Sequence, residues 1–235
     1  TGGSDTGGTA DPAGSADTGS TGGTASGTGG DAAATDGASD VPVVDRSIPP
    51  SEYKCPTGMA RVHRRKKIKE DGKSITHYQV FCVDRREYPG YGKPRTEVSF
   101  YGAKQACARK GKRLCGGSEW RTSCGGRKYP YGKTYDSIMC NTMSMAGEER
   151  PVVASGYYRR CRSAWGVFDL VGNVGEWTAD GNVRGGDSYR TADLATCGFS
   201  RRRSPGSKSR LVGFRCCADA DLREKEQAPS SEEGK

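Results

Sequence analysis

Two carboxylates, Asp169 and Glu176, stand on either side of Gly172-Asn173-Val174-Gly175. A tight turn of that composition can aim backbone carbonyls inward while the acids close the shell, and hard oxygen donors of this type and number suit Ca²⁺. Ten cysteines offer a second chemistry, as metal-binding thiolates or as disulfides, and an even, widely scattered count fits an oxidised, exported protein. None has the paired Cys-x-x-Cys spacing of a zinc site. Ten cysteines permit about 945 full pairings, so spacing alone does not assign them.

A third chemistry is charge. Arg61, Arg64, Arg65, Lys66 and Lys67, with His63 and Lys69, crowd one stretch, and Arg201, Arg202 and Arg203, with Lys208 and Arg210, form a second. The chain carries +9, but its first 40 residues hold six Asp and no base, and 221–235 has five acids against three bases. Setting those −6 and −2 apart leaves +17 on 41–220. Such a field attracts acidic glycans, lipopolysaccharide, anionic membrane surface or acidic proteins. Nucleic acid is disfavoured, because no nucleic-acid motif is present and the cysteines argue for export.

These residues have to be positioned by a small folded region. From Thr1 to Asp40 every residue but Pro12 is Gly, Ser, Thr, Ala or Asp, and a segment without large apolar side chains cannot offset its ordering entropy. A disordered linker is expected over 1–45, a single domain over 46–220 and a disordered acidic tail over 221–235. As a flexible chain, 40 residues reach roughly 35 Å, a tether resembling the one behind the acylated cysteine of a bacterial lipoprotein. The chain opens on Thr1 rather than Met, as expected of a processed product whose export signal is gone. With 33% apolar residues and no run near the ~18 of a membrane helix, a transmembrane span is excluded.

Within the domain, Met59–Lys69 and Ser74–Val83 are β-leaning runs around Glu70-Asp71-Gly72-Lys73, a hairpin signal. That hairpin would bring Cys55 and Cys82 close enough to bridge. Ser99 can cap a helix bearing Ala103, Ala106, Cys107 and Lys110, closed by Gly111, and Ser118 a shorter one bearing Trp120 and Cys124. Cys140 and Cys161 face each other across a loop. The rest is apolar fragments broken by Gly, Pro and Asn.

Several blocks occur in one order: Val98-Ser99-Phe100-Tyr101-Gly102-Ala103-Lys104-Gln105-Ala106-Cys107, Gly111-Lys112-Arg113-Leu114-Cys115, Ser118-Glu119-Trp120, Gly166 through Trp177, Gly185-Gly186 and Gly213-Phe214-Arg215-Cys216. In that order they resemble the formylglycine-generating enzyme, or sulfatase-modifying factor, family over roughly 140 residues from Phe81 to Asp219. The resemblance implies an α+β fold, a single compact variant of the C-type-lectin-like domain, poor in regular secondary structure. It also implies bridges Cys107–Cys216 and Cys124–Cys197, with Cys115 and Cys217 left over. Adjacent strand residues point to opposite faces, so Cys216 and Cys217 can reach different partners.

The family oxidises a substrate cysteine with two thiolates on one Cu(I), a soft ion that selects sulfur. Those thiolates follow the Gly-Gly motif, five residues apart. Here Gly185-Gly186 is followed by Asp187-Ser188-Tyr189-Arg190-Thr191-Ala192-Asp193-Leu194-Ala195-Thr196-Cys197, with one thiol at the family's structural position. Both copper ligands are missing, and formylglycine-generating activity with them. A related branch holds non-haem iron through histidines, and two, His63 and His77, cannot complete a three-histidine site. For calcium the resemblance assigns the Asp169 and Glu176 side chains with the Gly172 and Val174 carbonyls, and begins a second site at Asn141 and Thr142. The function that follows is an exported binding or structural module without copper or iron, calcium-stiffened, taking an envelope or surface protein, a peptide or an acidic glycan. The rival is an enzyme using a different, non-copper site around Ser188, Tyr189, Arg190 and Asp193.

Overall fold

The computed structural model describes residues 48–222. The expected linker over 1–45 lies outside the described residues, as does the expected tail except for Asp221 and Leu222. In chain order, a 3-10 turn (Pro50–Glu52) leads into strands β1 (Tyr53–Lys54), β2 (Met59–Glu70) and β3 (Lys73–Asp84). Helix α1 (Phe100–Ala108), β4 (Arg113–Leu114) and helix α2 (Gly117–Ser123) follow. A long irregular stretch then precedes β5 (Gly175–Trp177), β6 (Asn182–Arg184), β7 (Ser200–Arg202), β8 (Val212–Phe214), β9 (Cys216–Asp219) and β10 (Asp221–Leu222).

The hairpin forms because its turn and its register agree. β2 and β3 pair residue for residue from Met59↔Asp84 to Glu70↔Lys73, and only Asp71 and Gly72 connect them, at φ 49° and 75°. Two central residues at positive φ match the twist of the strands, which is what Asp-Gly supplies. β9 meets β3 only at Phe81, Cys82 and Val83. Ala60, Val62, Phe81 and Val83 are therefore buried at the base, whereas Arg64 to Lys67 are exposed farther out.

The first sheet has the order β2-β3-β9-β4 and the second β7-β6-β5-β8, in which β5 and β8 run parallel. β8 and β9 are separated by one residue, Arg215, so the chain passes between sheets there. Asp221 and Leu222, expected in the disordered tail, instead pair with Lys54 and Tyr53. Backbone groups there find strand partners, which composition alone does not register.

Ser99 caps α1 by accepting the Gly102 N–H at 3.2 Å, and Ala103, Ala106 and Cys107 face inward. Gly111, at φ 63°, lets the chain leave the helix. The second helix starts differently from expectation. Its N-cap is Gly116, and the Glu119 carboxylate accepts the Gly116 N–H at 2.8 Å. Ser118 therefore lies within the first turn instead of capping it.

Three apolar clusters form the core. One gathers Trp120, Leu170, Val171 and Tyr129, a second Trp177, Phe214, Val212 and Leu114 against α1, and a third Tyr53, Met59 and Val80. Disulfides join Cys55–Cys82, Cys107–Cys216, Cys115–Cys217, Cys124–Cys197 and Cys140–Cys161. Neighbours Cys216 and Cys217 thus tie one strand to α1 and to the segment before α2.

Candidate functional site

The crossing residue Arg215 is fully buried and organises the centre of the molecule. Its guanidinium grips both Glu176 oxygens, Nε to Oε2 at 2.6 Å and Nη2 to Oε1. It also donates to the carbonyls of Asp84 at 3.1 Å and Phe168 at 2.9 Å. Trp120 Nε1 donates to Glu176 Oε2 at 2.7 Å. Burial alone would lower the Arg215 pKa, but Glu176, Glu87 and Asp169 around it raise it instead.

Two further buried acids crowd this pair. Asp169, at φ 53° after the Gly166-Val167-Phe168 turn, accepts from Gly156 N and from Ser155 Oγ at 3.2 Å. Desolvation lifts its pKa to about 6, against the lowering effect of Gly156, Arg215 and Ser155. Glu87 accepts from Asn173 Nδ2 at 2.8 Å through one oxygen, while its Oε1 is buried without a partner. Desolvation, then repulsion by Asp169 and Glu176, pushes the Glu87 pKa well up. Three acids facing one guanidinium cannot all ionise cheaply, and the cost falls on Glu87 and Asp169, whose acid forms are favoured by burial.

This arrangement bears on calcium. The Glu176 carboxylate faces Arg215 and Trp120, and Asp169 faces Gly156 and Ser155, so the two acids expected to share an ion are turned to protein donors. A shell made of the Asp169 and Glu176 side chains with the Gly172 and Val174 carbonyls would require Glu176 to be released from Arg215. At the second expected position, the Thr142 hydroxyl pairs with Tyr135 at 2.8 Å, and Asn141 Nδ2 donates to Pro151 O and Asn173 Oδ1. Asn141 Oδ1 stays buried and unbonded, which is one hard donor and not a shell.

In the segment where the family carries its thiolates, Asp187 accepts the Tyr189 N–H at 3.0 Å and an Arg190 contact at 3.4 Å. Ser188 is fully buried, and its hydroxyl has no partner. Cys197 is bonded to Cys124, and no cysteine is free. Without a base near Ser188, nothing here forms a nucleophile pair.

The expected anion-binding residues fall in two places. Arg61 is tied to Tyr53 O at 2.7 Å and Ser51 O at 3.2 Å, whereas Arg64, Arg65, Lys66 and Lys67 project from β2 in the first sheet. Arg201 and Arg202 are exposed on β7, the edge of the second sheet, with Arg203 next to them. Partial burial and the neighbouring Arg201 lower the Arg203 pKa.

Sequence reasoning missed Glu87, Asn173 and the role of Arg215. Glu87 lies in an irregular segment without periodicity and left no signal. Arg215 did leave one, because a charge flanked by Phe214 and two cysteines is bound for the interior and must find a partner.

Residues 66–220 match the sulfatase-modifying factor enzyme 1-like domain. The chain is 29% identical over 152 residues to inactive C-alpha-formylglycine-generating enzyme 2 of Bos taurus, covering 54% of this chain and 50% of that protein. It is 26% identical over 164 residues to formylglycine-generating enzyme of Mus musculus, covering 54% and 44%. A Chlamydia trachomatis protein named serine/threonine-protein kinase Pkn1 shares 29% over 161 residues, 56% of this chain and 25% of that one. The chain therefore spans half or less of the curated relatives it matches. Among solved structures, the Major Tropism Determinant U1 variant superposes with a TM-score of 0.50 at 13% identity, covering 73% of this chain and 56% of that one. PvdO from Pseudomonas aeruginosa gives 0.48 at 18%, covering 68% and 92%. At such identities the U1 likeness is one of fold. With the family match spanning most of the domain, and its ordered blocks in place around Arg215, this chain belongs to the sulfatase-modifying factor enzyme 1-like, or formylglycine-generating enzyme-like, family.

Proposed function

We propose that the domain is a non-catalytic member of its family, serving as an exported binding or structural module of a cell envelope or surface. The observation that carries this reading is the Cys124–Cys197 bridge. Copper(I) oxidation chemistry of the family type takes two thiolates, and the segment after Gly185-Gly186 offers one sulfur, already bonded. Every other cysteine is bridged too, so no neighbouring thiolate takes its place. The Bos taurus relative bears the word inactive in its name, which agrees with this reading. Five disulfides suit an oxidising compartment, and no helix among the described residues is long and apolar enough to cross a membrane.

Two measurements test the two halves. Incubating the oxidised protein with copper(I), oxygen and a cysteine-containing peptide is expected to give neither oxygen uptake nor a change in peptide mass, and turnover would sink the non-catalytic half. Alkylating thiols in intact cells before isolation is expected to leave all ten cysteines unmodified. Labelled cysteines would instead place the protein in a reducing compartment.

A further inference from the structure

The basic hairpin is more than a charged face, because its base forms one wall of a cleft. Where β2 approaches α2, a space of about 650 Å³ is lined by His63, Arg64, Arg65, Arg121, Trp165 and Arg184, with small residues of α2 and the glycines after it. Four guanidiniums and no carboxylate line it. Arg184 is neutralised by Asp180 at 2.7 Å. Arg64, Arg65 and Arg121 take part in none of the ion pairs among the described residues. Cations gathered around one concavity raise the local potential more than the same charges spread over a flat face.

The aromatic residues add a second, independent observation. Trp165 and His63 meet edge to face with centroids 4.8 Å apart. The indole N–H of Trp165 is buried without a partner, whereas those of Trp120 and Trp177 donate to Glu176 at 2.7 Å and Val98 O at 3.0 Å. A neighbouring cleft of about 570 Å³ shares His63 and Trp165 and brings Arg61 and Arg85. Two cationic spaces joined by an aromatic pair suit a linear ligand longer than one residue.

We propose that these joined clefts bind an acidic glycan, with Arg64, Arg65 and Arg121 holding its carboxylate or sulfate groups and Trp165 offering a flat face to a sugar ring. Guanidinium forks match such planar or tripodal anions by paired hydrogen bonds, and an indole combines an apolar face with a polar edge. A glycan is favoured over a nucleic acid because five bridges suit the oxidising side of a membrane, where polysaccharides are exposed. The assignment names the ligand class of the exported-module reading and rests on it.

The test titrates the full oxidised chain with three probes: a sulfated heparin oligosaccharide, an oligogalacturonate and a single-stranded DNA oligomer. Tryptophan fluorescence is the readout. Trp120 and Trp177 are buried at 0% and 1% exposure, so quenching on binding reports Trp165 and disappears in Trp165→Phe. Replacing Arg64, Arg65 and Arg121 together by Ser is expected to weaken glycan binding by at least about tenfold, as lost charged hydrogen bonds would. The same charge removed by Arg201→Ser, Arg202→Ser and Arg203→Ser should change it by less than about threefold. Equal losses in the two triple variants would mean a diffuse field and overturn the cleft, as would tighter binding of DNA than of either glycan. Glycan binding that ignores the cleft variant removes the cleft but leaves the module reading intact. Cysteines found alkylated in intact cells remove the module reading whatever the cleft binds.

Discussion

At the scale of single residues, the cluster of three acids around Arg215 dominates. Among the described residues Arg215 carries the only fully buried guanidinium, and removing it strands Glu176 beside Asp169 and Glu87. Arg215→Met should therefore lower stability by about 3 to 5 kcal/mol, the usual cost of leaving a buried charge unpaired. Adding Glu176→Gln should recover part of that loss, and urea unfolding of both single variants and the double variant measures the coupling. The same cluster sets a pH dependence. Desolvation holds Asp169 at about 6 against an ordinary 3.8 and raises Glu87 as well. A raised carboxyl binds its proton more tightly folded than unfolded, so its contribution favours the native state at low pH and is lost as pH rises through the folded value. Asp180 acts in reverse: hydrogen bonds from Thr178, Arg184 and Asn182 overcome its burial and hold it at about 2. Its contribution is present in full above 3.8 and is lost as pH falls from there through about 2. The melting temperature should thus be higher near pH 5 than at pH 7.5 and fall again below about pH 4. Glu87→Gln should raise it at pH 7.5 and flatten the neutral limb. A melting curve that climbs steadily to pH 7.5 would contradict the cluster as described.

At the scale of elements, what could be read in the sequence was what is encoded locally. The hairpin announced itself through Asp71-Gly72 between two long runs; β2 extends one residue farther than expected and β3 one residue at each end. Gly72→Ala meets no atom within 4 Å, yet it forces φ 75° on an alanine. It should cost about 1 kcal/mol by backbone conformation alone, seen as a shifted denaturation midpoint with an unchanged slope. Helix α1 was equally legible, since Ser99, the small inward residues and Gly111 are all within a few turns. The start of α2 was not, because the glutamate at its third position took over from the serine. β5, β6, β7 and β8 have three residues each, too few to show a period of two, and the parallel pairing of β5 with β8 joins Gly175 to Val212 across a long stretch of chain. Such pairing depends on contacts that no local window contains.

At the scale of the whole molecule, the disulfides act together. Cys107–Cys216 and Cys115–Cys217 each span more than a hundred residues, 109 and 102. With Cys124–Cys197 intact, however, the first of the two closes a ring of only about 36 residues and the second one of about nine, which chain-entropy arguments put at about 3.8 and about 2.6 kcal/mol. Replacing either pair by alanines should therefore cost less than half of what replacing both costs, and the excess of about 1 kcal/mol is read from a double-mutant cycle of thermal melts. Strict additivity would show that the two bridges constrain separate parts of the unfolded chain. The family blocks made the overall architecture legible, along with the two bridges they carry. The acid cluster was less so, because Glu87, the Asp169–Glu176 stretch and Arg215 come from three distant segments that meet only in the finished fold.

Arg215, Cys216 and Cys217 are consecutive, yet they secure Glu176, Cys107 and Cys115. A growing chain that has emerged only as far as Phe214 lacks both long-range sulfur partners and the guanidinium that pairs with Glu176. The ribosome or translocation channel must therefore deliver nearly the entire domain before it can settle. Until that moment Cys107 and Cys115 have no native partner, whereas Cys55–Cys82, Cys140–Cys161 and Cys124–Cys197 can already close.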